Sequence, residues 1–168
     1  MRRKGIRGIC RLLVSVAMLA RDELLSAALR HARDAEHLLD ASDNQSVDQA
    51  YHLSGFAAEC ARKACLADPW GNKAIGHDLG SNSDTVLATL LSQDVFAARY
   101  DLEGWGGRYP GLSRWNVESR YRPTAHGGAR AQALVDAQAV VQEARSIVDR
   151  LALALYADGV VTTEAFAT

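Results

Sequence analysis

The sequence predicts an all-α fold, built as an antiparallel up-and-down bundle of four to five helices. Alanine and leucine supply much of the 48% hydrophobic content, whereas aromatic residues make up 7% of the chain. Alanine and leucine lose little conformational freedom in a helix, so this balance favours helices. No stretch alternates apolar and polar residues between turn signals, as a half-buried strand would. A chain of 168 residues is also long enough to bury a core as one domain.

Apolar residues at alternating three- and four-residue steps predict the helices of the first half of the chain. The first helix is expected over residues 21–39. The second is expected over residues 47–67, with Ser46 as its N-cap and Gln49 completing a capping box. Asp68-Pro69 ends the second helix, because the residue before a proline disfavours helical backbone.

In the second half, a shorter helix is expected to begin near Ser83 as its cap, and a long amphipathic helix is expected over residues 129–156. The long helix carries an apolar stripe of Leu134, Ala137, Val141, Ala144, Val148, Leu151 and Leu155. The chain therefore divides into an N-terminal extension at 1–18, disordered or partly helical, a helical domain at 19–157, and a short frayed tail at 158–168.

An irregular, glycine-rich stretch at residues 101–128 separates the last two helices. It interleaves aromatic and basic residues, namely Trp105, Arg108, Tyr109, Arg114, Trp115, Arg120, Tyr121 and Arg122. Aromatic rings among arginines can stack bases and neutralise phosphates. They can equally anchor a structured loop folded over the bundle, because long loops in compact domains are usually packed or functional.

The second helix carries a further face, formed by His52, Phe56, Glu59 and Lys63. One interpretation is an ion pair between Glu59 and Lys63, one helical turn apart, beside a packed aromatic ring. The other is a surface for a partner or a ligand.

His77 and Asp78 precede the third helix. An aspartate in that position is typical of a cap, because it accepts backbone N–H bonds at the positive end of the helix. A ligand-binding or catalytic role for the pair stays open.

Composition limits the chemistry further. A formal net charge of −1 argues against a strongly basic nucleic-acid binder, though not against a local basic patch.

The three cysteines lack C-x-x-C spacing, so we expect neither a zinc site nor a disulfide framework. Free thiols favour a reducing, cytoplasmic compartment. No cofactor motif occurs. The apolar run at 12–20 is too short to span a bilayer, so we expect no membrane association.

The order of the elements and three local motifs resemble the HEPN family over most of the chain. Residues 50–64, AYHLSGFAAECARKA, resemble that family's second-helix signature, in which a glutamate is followed four residues later by a lysine. The Gly-His-Asp-Leu sequence at 76–79 resembles the H-x-L entry into its third helix. Trp115 followed by Arg120-Tyr121 resembles an element found before the final helix in some members.

The resemblance implies a helical bundle that usually dimerises. Members of the family include metal-independent ribonucleases of toxin or defence systems, partners of a small nucleotidyltransferase in toxin–antitoxin pairs, and non-catalytic binding modules. The ribonucleases carry an arginine and, after a short spacer, a histidine near the start of the last helix, and the pair acts across the dimer.

Arg120 and His126 fit that spacing. Histidine titrates near neutrality and can move the proton of a 2′-hydroxyl, while arginine suits the charge that develops on phosphorus. Pro123 and Gly127-Gly128 depart from the family pattern, because they place the pair on a loop rather than on the helix. The alternative is that Arg120 and Tyr121 anchor the loop and that His126 is a solvated residue before the helix.

The sequence thus favours a HEPN-domain protein that acts as a dimeric RNA-, nucleotide- or partner-binding module, with a second copy and a nucleotidyltransferase antitoxin as the expected partners. The alternative function is a metal-independent endoribonuclease that uses Arg120 and His126. The expected RNA or partner surface comprises Trp115, Tyr121, Arg122, Arg114, His52, Glu59 and Lys63.

Overall fold

The computed structural model of the protein describes residues 6–41, 45–66, 73–121 and 128–167. Within these ranges every regular element is a helix or a 3-10 turn, and no strand occurs. The predicted all-α class is therefore confirmed. None of the helices in the described ranges is long and apolar enough to cross a membrane.

The helices are α1 (Ile6–Asp40), α2 (Val47–Ala64), α3 (Ser81–Gln93), α4 (Trp105–Arg108), α5 (Pro110–Ser113) and α6 (Gly128–Ala157). Single 3-10 turns occupy Ala97–Tyr100, Val117–Tyr121 and Thr163–Phe166. The long helices α1, α2 and α6 pack against one another around the core. The short helix α5 lies on α6, and the 3-10 turn Val117–Tyr121 lies on α2.

The predicted apolar stripes face this core. On α1, Leu25, Ala28 and Ala35 are fully buried. On α6, every member of the stripe is buried except Leu134, which is half-buried. The buried residues of α2 include five alanines, and small side chains of this kind allow helix backbones to approach closely (Ala50, Ala57, Ala58, Ala61 and Ala64).

The predicted start of α2 is confirmed without its capping box, and the predicted cap of α3 is wrong. Ser46 is the N-cap of α2, but its side chain makes no capping bond, so the capping box does not form. Instead, Gln45 Nε2 donates to the carbonyl oxygen of Leu39, 2.7 Å away, at the end of α1. The N-cap of α3 is Gly80 rather than Ser83, whose hydroxyl donates back to the Gly80 carbonyl oxygen at 2.8 Å.

Helix α1 begins well before the expected start at residue 21. It runs without a break through residues 18 and 19, where the sequence places the boundary of an N-terminal extension. The division into extension and domain stays a prediction. The expected end of the second helix at 67, and Asp68-Pro69, lie outside the described residues.

The segment that follows α6 folds back against α1, so the expectation of a frayed tail was wrong. Val161 and Ala165 are buried. The backbone N–H and the hydroxyl of Thr162 donate to the two oxygens of Asp22, at 2.7 and 2.8 Å. Because residues 22 and 162 are far apart in the chain, no local sequence pattern could reveal this pairing.

Candidate functional site

Two buried tryptophans hold segment 101–121 on the bundle. Trp105 is fully buried and Trp115 is 3% exposed. The indole N–H of Trp105 donates to the carbonyl oxygen of Asp101 at 3.2 Å, and its ring meets Tyr109 edge to face at 5.8 Å. These contacts agree with the interpretation of a structured loop folded over the bundle.

Arg62 of α2 joins this segment to the rest of the fold. It is 1% exposed, and its guanidinium lies 4.6 Å from the centroid of the Trp105 ring. Nη2 donates to the Leu102 carbonyl oxygen at 2.8 Å, and Nη1 donates to Ser83 Oγ at 3.0 Å. Burial lowers the pKa of Arg62 to about 10, although nearby Asp84 raises it. The arginine therefore stays charged at neutral pH and connects α2, α3 and segment 101–121.

Trp115 packs on the backbone of α2 at Gly55. A Cβ atom at Gly55 would lie 2.0 Å from Trp115 Cε2, so only glycine fits beneath the indole. The Trp115 ring also meets Phe56 at 5.2 Å and His52 at 6.4 Å, edge to face in both cases. Trp115 of segment 101–121 thus covers the part of α2 that carries His52 and Phe56.

Glu143 of α6 fixes the start of helix α5. Its two carboxylate oxygens accept the backbone N–H groups of Gly111 at 3.2 Å and Leu112 at 2.8 Å. The first N–H groups of a helix have no partner within the helix, so a carboxylate there both satisfies them and favours the positive helix end.

Glu59 is the centre of a titratable cluster. Its carboxylate accepts from Lys63 Nζ at 2.6 Å, which confirms the predicted ion pair. It also faces His77 Nδ1 at 2.9 and 3.0 Å from its two oxygens. The Glu59 side chain is 8% exposed and that of His77 is 57% exposed. The buried carboxylate therefore orients an imidazole whose other side faces solvent.

His31 of α1 lies on the same aromatic cluster, 6.3 Å from the Phe56 ring centroid. Burial lowers the pKa of His31, and Arg30 lowers it further, while Asp34 acts in the opposite direction. The neutral form of this imidazole is thus favoured in the folded protein.

Asp78 acts on the backbone that leads into α3. Its Oδ1 accepts the N–H of Gly80, the N-cap of that helix, at 2.7 Å. Gly76, just upstream, has a left-handed φ of 64°, which favours glycine. The pair His77 and Asp78 is therefore engaged within the fold, His77 through Glu59 and Asp78 through a turn that ends at Gly80. The predicted cap was wrong, because Asp78 binds the N–H of the N-cap residue rather than the first N–H groups of the helix.

Cysteine and metal chemistry find no support in the described residues. Burial raises the pKa of the Cys60 thiol to about 11 and that of Cys65 to about 12, so neither is a thiolate at neutral pH. Across the described ranges, no group of three or more His, Cys, Asp or Glu side chains could hold a metal ion.

The residues that the sequence assigned to an RNA or partner surface fall into a buried group and an exposed group. Trp115, His52 and Glu59, taken as whole residues, are at most 6% exposed, so they lie beneath the surface, and a base cannot stack on the Trp115 ring. Lys63 is half-buried against Glu59. Tyr121, in contrast, is 75% exposed.

Arg114 is exposed as well, and its Nε donates to the Pro110 carbonyl oxygen at 3.1 Å. It lines a cleft of about 200 Å³ with Tyr51, Gly111, Asp136 and Val140. Arg108, also exposed, is held by the carboxylate of Asp101. Of the basic residues described in segment 101–121, Arg114 is thus the one directed toward a cleft.

The predicted catalytic pair is only partly within the described structure. The backbone of Arg120 lies in the 3-10 turn Val117–Tyr121. The Arg120 side chain, together with Arg122 and His126, falls outside the described residues.

Sequence reasoning missed Arg62 and Glu143, the two charged groups that fix segment 101–121. Arg62 lies three residues after Glu59 and directly before Lys63, and no sequence pattern assigned it a role. One sequence feature pointed to where Arg62 lies. Arg62 follows Gly55 by seven residues in α2, and residues seven apart lie on the same side of a helix. Glu143 gave no such signal, since its partners lie about thirty residues away in the chain.

No family model matches this chain, and no match was found among curated proteins or among solved structures. Its function therefore rests on the site itself.

Proposed function

We propose that this chain is a HEPN-like helical module that works as a dimer and binds RNA through the outer side of segment 101–121. The observation that carries the proposal is the division of that segment into two sides. Its tryptophans are buried, whereas Tyr121 and Arg114 are exposed. A segment held in place on the inside and carrying an aromatic ring and a cation on the outside suits a single strand of RNA.

Two exposed groups of that outer side, Tyr121 and Arg114, suit single-stranded nucleic acid, although the acidic residues Asp101, Glu103 and Glu118 are exposed there too. An exposed tyrosine ring can stack on a base without selecting its identity, and an arginine can neutralise a phosphate. Because segment 101–121 is fixed by Arg62 and Glu143, little conformational entropy is lost when RNA binds. A net charge of −1 is compatible with such a local patch.

The test is the fluorescence anisotropy of a labelled single-stranded RNA of mixed sequence, titrated with wild type and with the double variant Arg114→Ala, Tyr121→Ala. We expect the Kd of the double variant to rise at least about tenfold, because a base stack alone contributes about 1–3 kcal/mol. The salt dependence of log Kd should also become shallower by roughly 0.7, one phosphate contact to a single strand.

The matched control is Arg99→Ala, which removes an exposed arginine that pairs with Asp158 on another part of the surface. This variant should bind RNA like wild type. If wild type binds no RNA, or if the double variant binds as well as wild type, the proposed function is wrong.

A second candidate function is metal-independent RNA cleavage by Arg120 and His126. The observation in its favour is that the backbone of Arg120 lies in a turn packed on α2, directly after the Trp115 anchor. An arginine is the residue type that stabilises charge on phosphorus. The test is cleavage of an RNA pool in chelator by wild type, Arg120→Ala and His126→Ala. Cleavage lost in both variants would support the enzyme, whereas equal cleavage in all three would reject this pair.

A further inference from the structure

A cleft of about 200 Å³ lies where α2, α5 and α6 meet. Its lining takes one residue from α2, one from α5, one that directly follows α5 and two from α6, namely Tyr51, Gly111, Arg114, Asp136 and Val140. Gly111 and Val140 are buried, whereas Tyr51 and Asp136 are half-buried and Arg114 is exposed. The cleft thus has a small apolar floor, an aromatic wall, and one charged group of each sign nearer the solvent.

The floor of the cleft is fixed by the contact between α5 and α6. A Cβ atom at Gly111 would lie 3.0 Å from Val140 Cγ2 and 2.9 Å from Glu143 Oε2, so the absence of a side chain lets the two helices approach closely. Both oxygens of Glu143 accept backbone N–H groups of α5. Glu143 is therefore used within the fold, and Asp136 is the carboxylate among the residues that line the cleft.

Arg114 and Asp136 line the cleft without neutralising each other. Among the ion pairs of the described ranges, none contains either residue. Asp136 Oδ1 accepts from Gln132 Nε2 at 3.1 Å, one helical turn away. Arg114 Nε donates to the Pro110 carbonyl oxygen at 3.1 Å. These neutral partners orient the two side chains, so a fitting ligand brings N–H donors to the carboxylate and a negative group to the guanidinium.

We propose that the cleft binds one unstacked guanine base of the RNA, and that the carboxylate of Asp136 accepts the N1–H and the 2-amino N–H of that base. Arg114 at the rim then binds a phosphate of the same strand. This inference rests on the proposed function, because it assigns a base preference to the proposed RNA-binding surface. It adds the base that is selected and the residue that selects it.

The choice of guanine follows from the hydrogen-bonding groups of the bases. An ionised carboxylate only accepts hydrogen bonds, about two at each oxygen, so Oδ1 of Asp136 can serve both Gln132 and a base. The Watson–Crick edge of guanine presents two neighbouring N–H donors, which two carboxylate oxygens can accept side by side. Adenine, cytosine and uracil each present a single donor beside at least one acceptor there, and a carboxylate repels that acceptor.

The size and the walls of the cleft suit a single base. Pockets for drug-sized ligands span about 300–1,000 Å³, so a cleft of about 200 Å³ fits a smaller ring system. The Tyr51 ring and the Val140 side chain offer apolar contact to such a ring, as aromatic side chains do for unstacked bases in RNA complexes. A base in the cleft leaves its sugar and phosphate outside, on the side of exposed Arg114.

The first test measures base selectivity by fluorescence anisotropy. It compares two labelled oligouridine RNAs, one with a single central guanosine and the other with adenosine in its place. Wild type is expected to bind the guanosine RNA about tenfold more tightly, as for one bidentate base contact. In Asp136→Asn this ratio should fall to about one, because an amide N–H then meets the donors of guanine. Asparagine keeps the size of aspartate and an acceptor for Gln132, so the fold is retained.

The matched control is Asp34→Asn, which removes the same charge from an exposed position on α1. This variant should keep the full preference for guanosine. Two analogues then locate the contact on the base itself. Inosine, which lacks the 2-amino group, should lose most of the preference, whereas 7-deazaguanosine, which lacks the N7 acceptor, should keep it.

The second test does not depend on RNA. Guanosine monophosphate added to wild type is expected to shift the backbone amide NMR signals of Gly111 and Val140. Adenosine monophosphate at the same concentration should leave these signals in place. Guanosine monophosphate should also leave them in place in Asp136→Asn.

Three results would overturn the inference: RNA binding by wild type without a preference for guanosine, a preference that Asp136→Asn keeps, or a preference that inosine keeps. In each of these cases the protein still binds RNA, so the proposed function stands. If wild type binds no RNA, the proposed function is wrong and the NMR titration decides about the cleft. Shifts with guanosine monophosphate would then support the base site, and their absence would reject it.

Discussion

Segment 101–121 and helix α6 are held in the fold by different means. The segment contains two helices of four residues each, and yet Trp105 and Trp115 are buried and charged groups from two other helices bind its backbone. Helix α6 is 30 residues long and regular, but it is held mainly by one apolar stripe, and its opposite side stays exposed. Regular secondary structure is therefore a poor guide to how much of an element is buried.

The difference has a physical reason. A short turn of helix leaves most of its backbone polar groups without partners inside the turn, so it persists only where side chains such as Glu143 supply them. A long helix satisfies its own backbone and needs only an apolar face against the core. Its other face is then open to a second molecule.

Among the residues that fix segment 101–121, Arg62 is expected to contribute most to the free energy of unfolding. Arg62→Ala leaves the buried Leu102 carbonyl oxygen without its donor and opens a cavity beside Trp105, so the free energy of unfolding should fall by about 4 kcal/mol. Arg99→Ala removes an exposed arginine from its ion pair with Asp158 and should change the free energy of unfolding by less than about 1 kcal/mol. Urea denaturation measures both. Equal losses in the two variants would contradict the central role of Arg62.

Helix α6 provides the next comparison, between two leucines. Leu151 is fully buried, and Leu151→Ala should lower the free energy of unfolding by about 3 kcal/mol through lost burial and a cavity. Leu153 is 70% exposed, so the stability of the isolated chain should change by no more than about 0.5 kcal/mol in Leu153→Ala. Measurement at low protein concentration keeps dimerisation from contributing. A large loss at Leu153 under that condition would mean that the outward face is covered within the monomer.

A smaller effect is expected where the segment rests on α2. Gly55→Ala forces the Trp115 ring away from the helix, and overpacking of this kind lowers the free energy of unfolding by about 2 kcal/mol. Gly107→Ala is the control, because a Cβ there has no heavy atom within 4 Å. Thermal melting followed by tryptophan fluorescence should show a lower Tm for Gly55→Ala alone. An unchanged Tm would show that segment 101–121 can move away from α2 without loss of stability.

Part of the candidate site could be predicted from the sequence. The ion pair of Glu59 with Lys63 follows from their spacing on one helix, and it forms. The ring of Trp115 could be either an anchor or a stacking platform, because an aromatic residue in a loop suits both roles equally. The contact with Gly55 decides between them, and it joins residues sixty positions apart.

The sequence by itself determined the helical class and the buried faces of α1 and α6, because those depend on composition and on spacing within a few turns. Tertiary structure decided which charges are buried, as at Arg62 and Asp22, because their partners come from distant parts of the chain. It also decided that one face of α6 remains open. A stripe of small, polar and apolar residues looks the same in sequence whether or not another element covers it, and only the packing of α1 and α2 against the opposite side leaves it exposed.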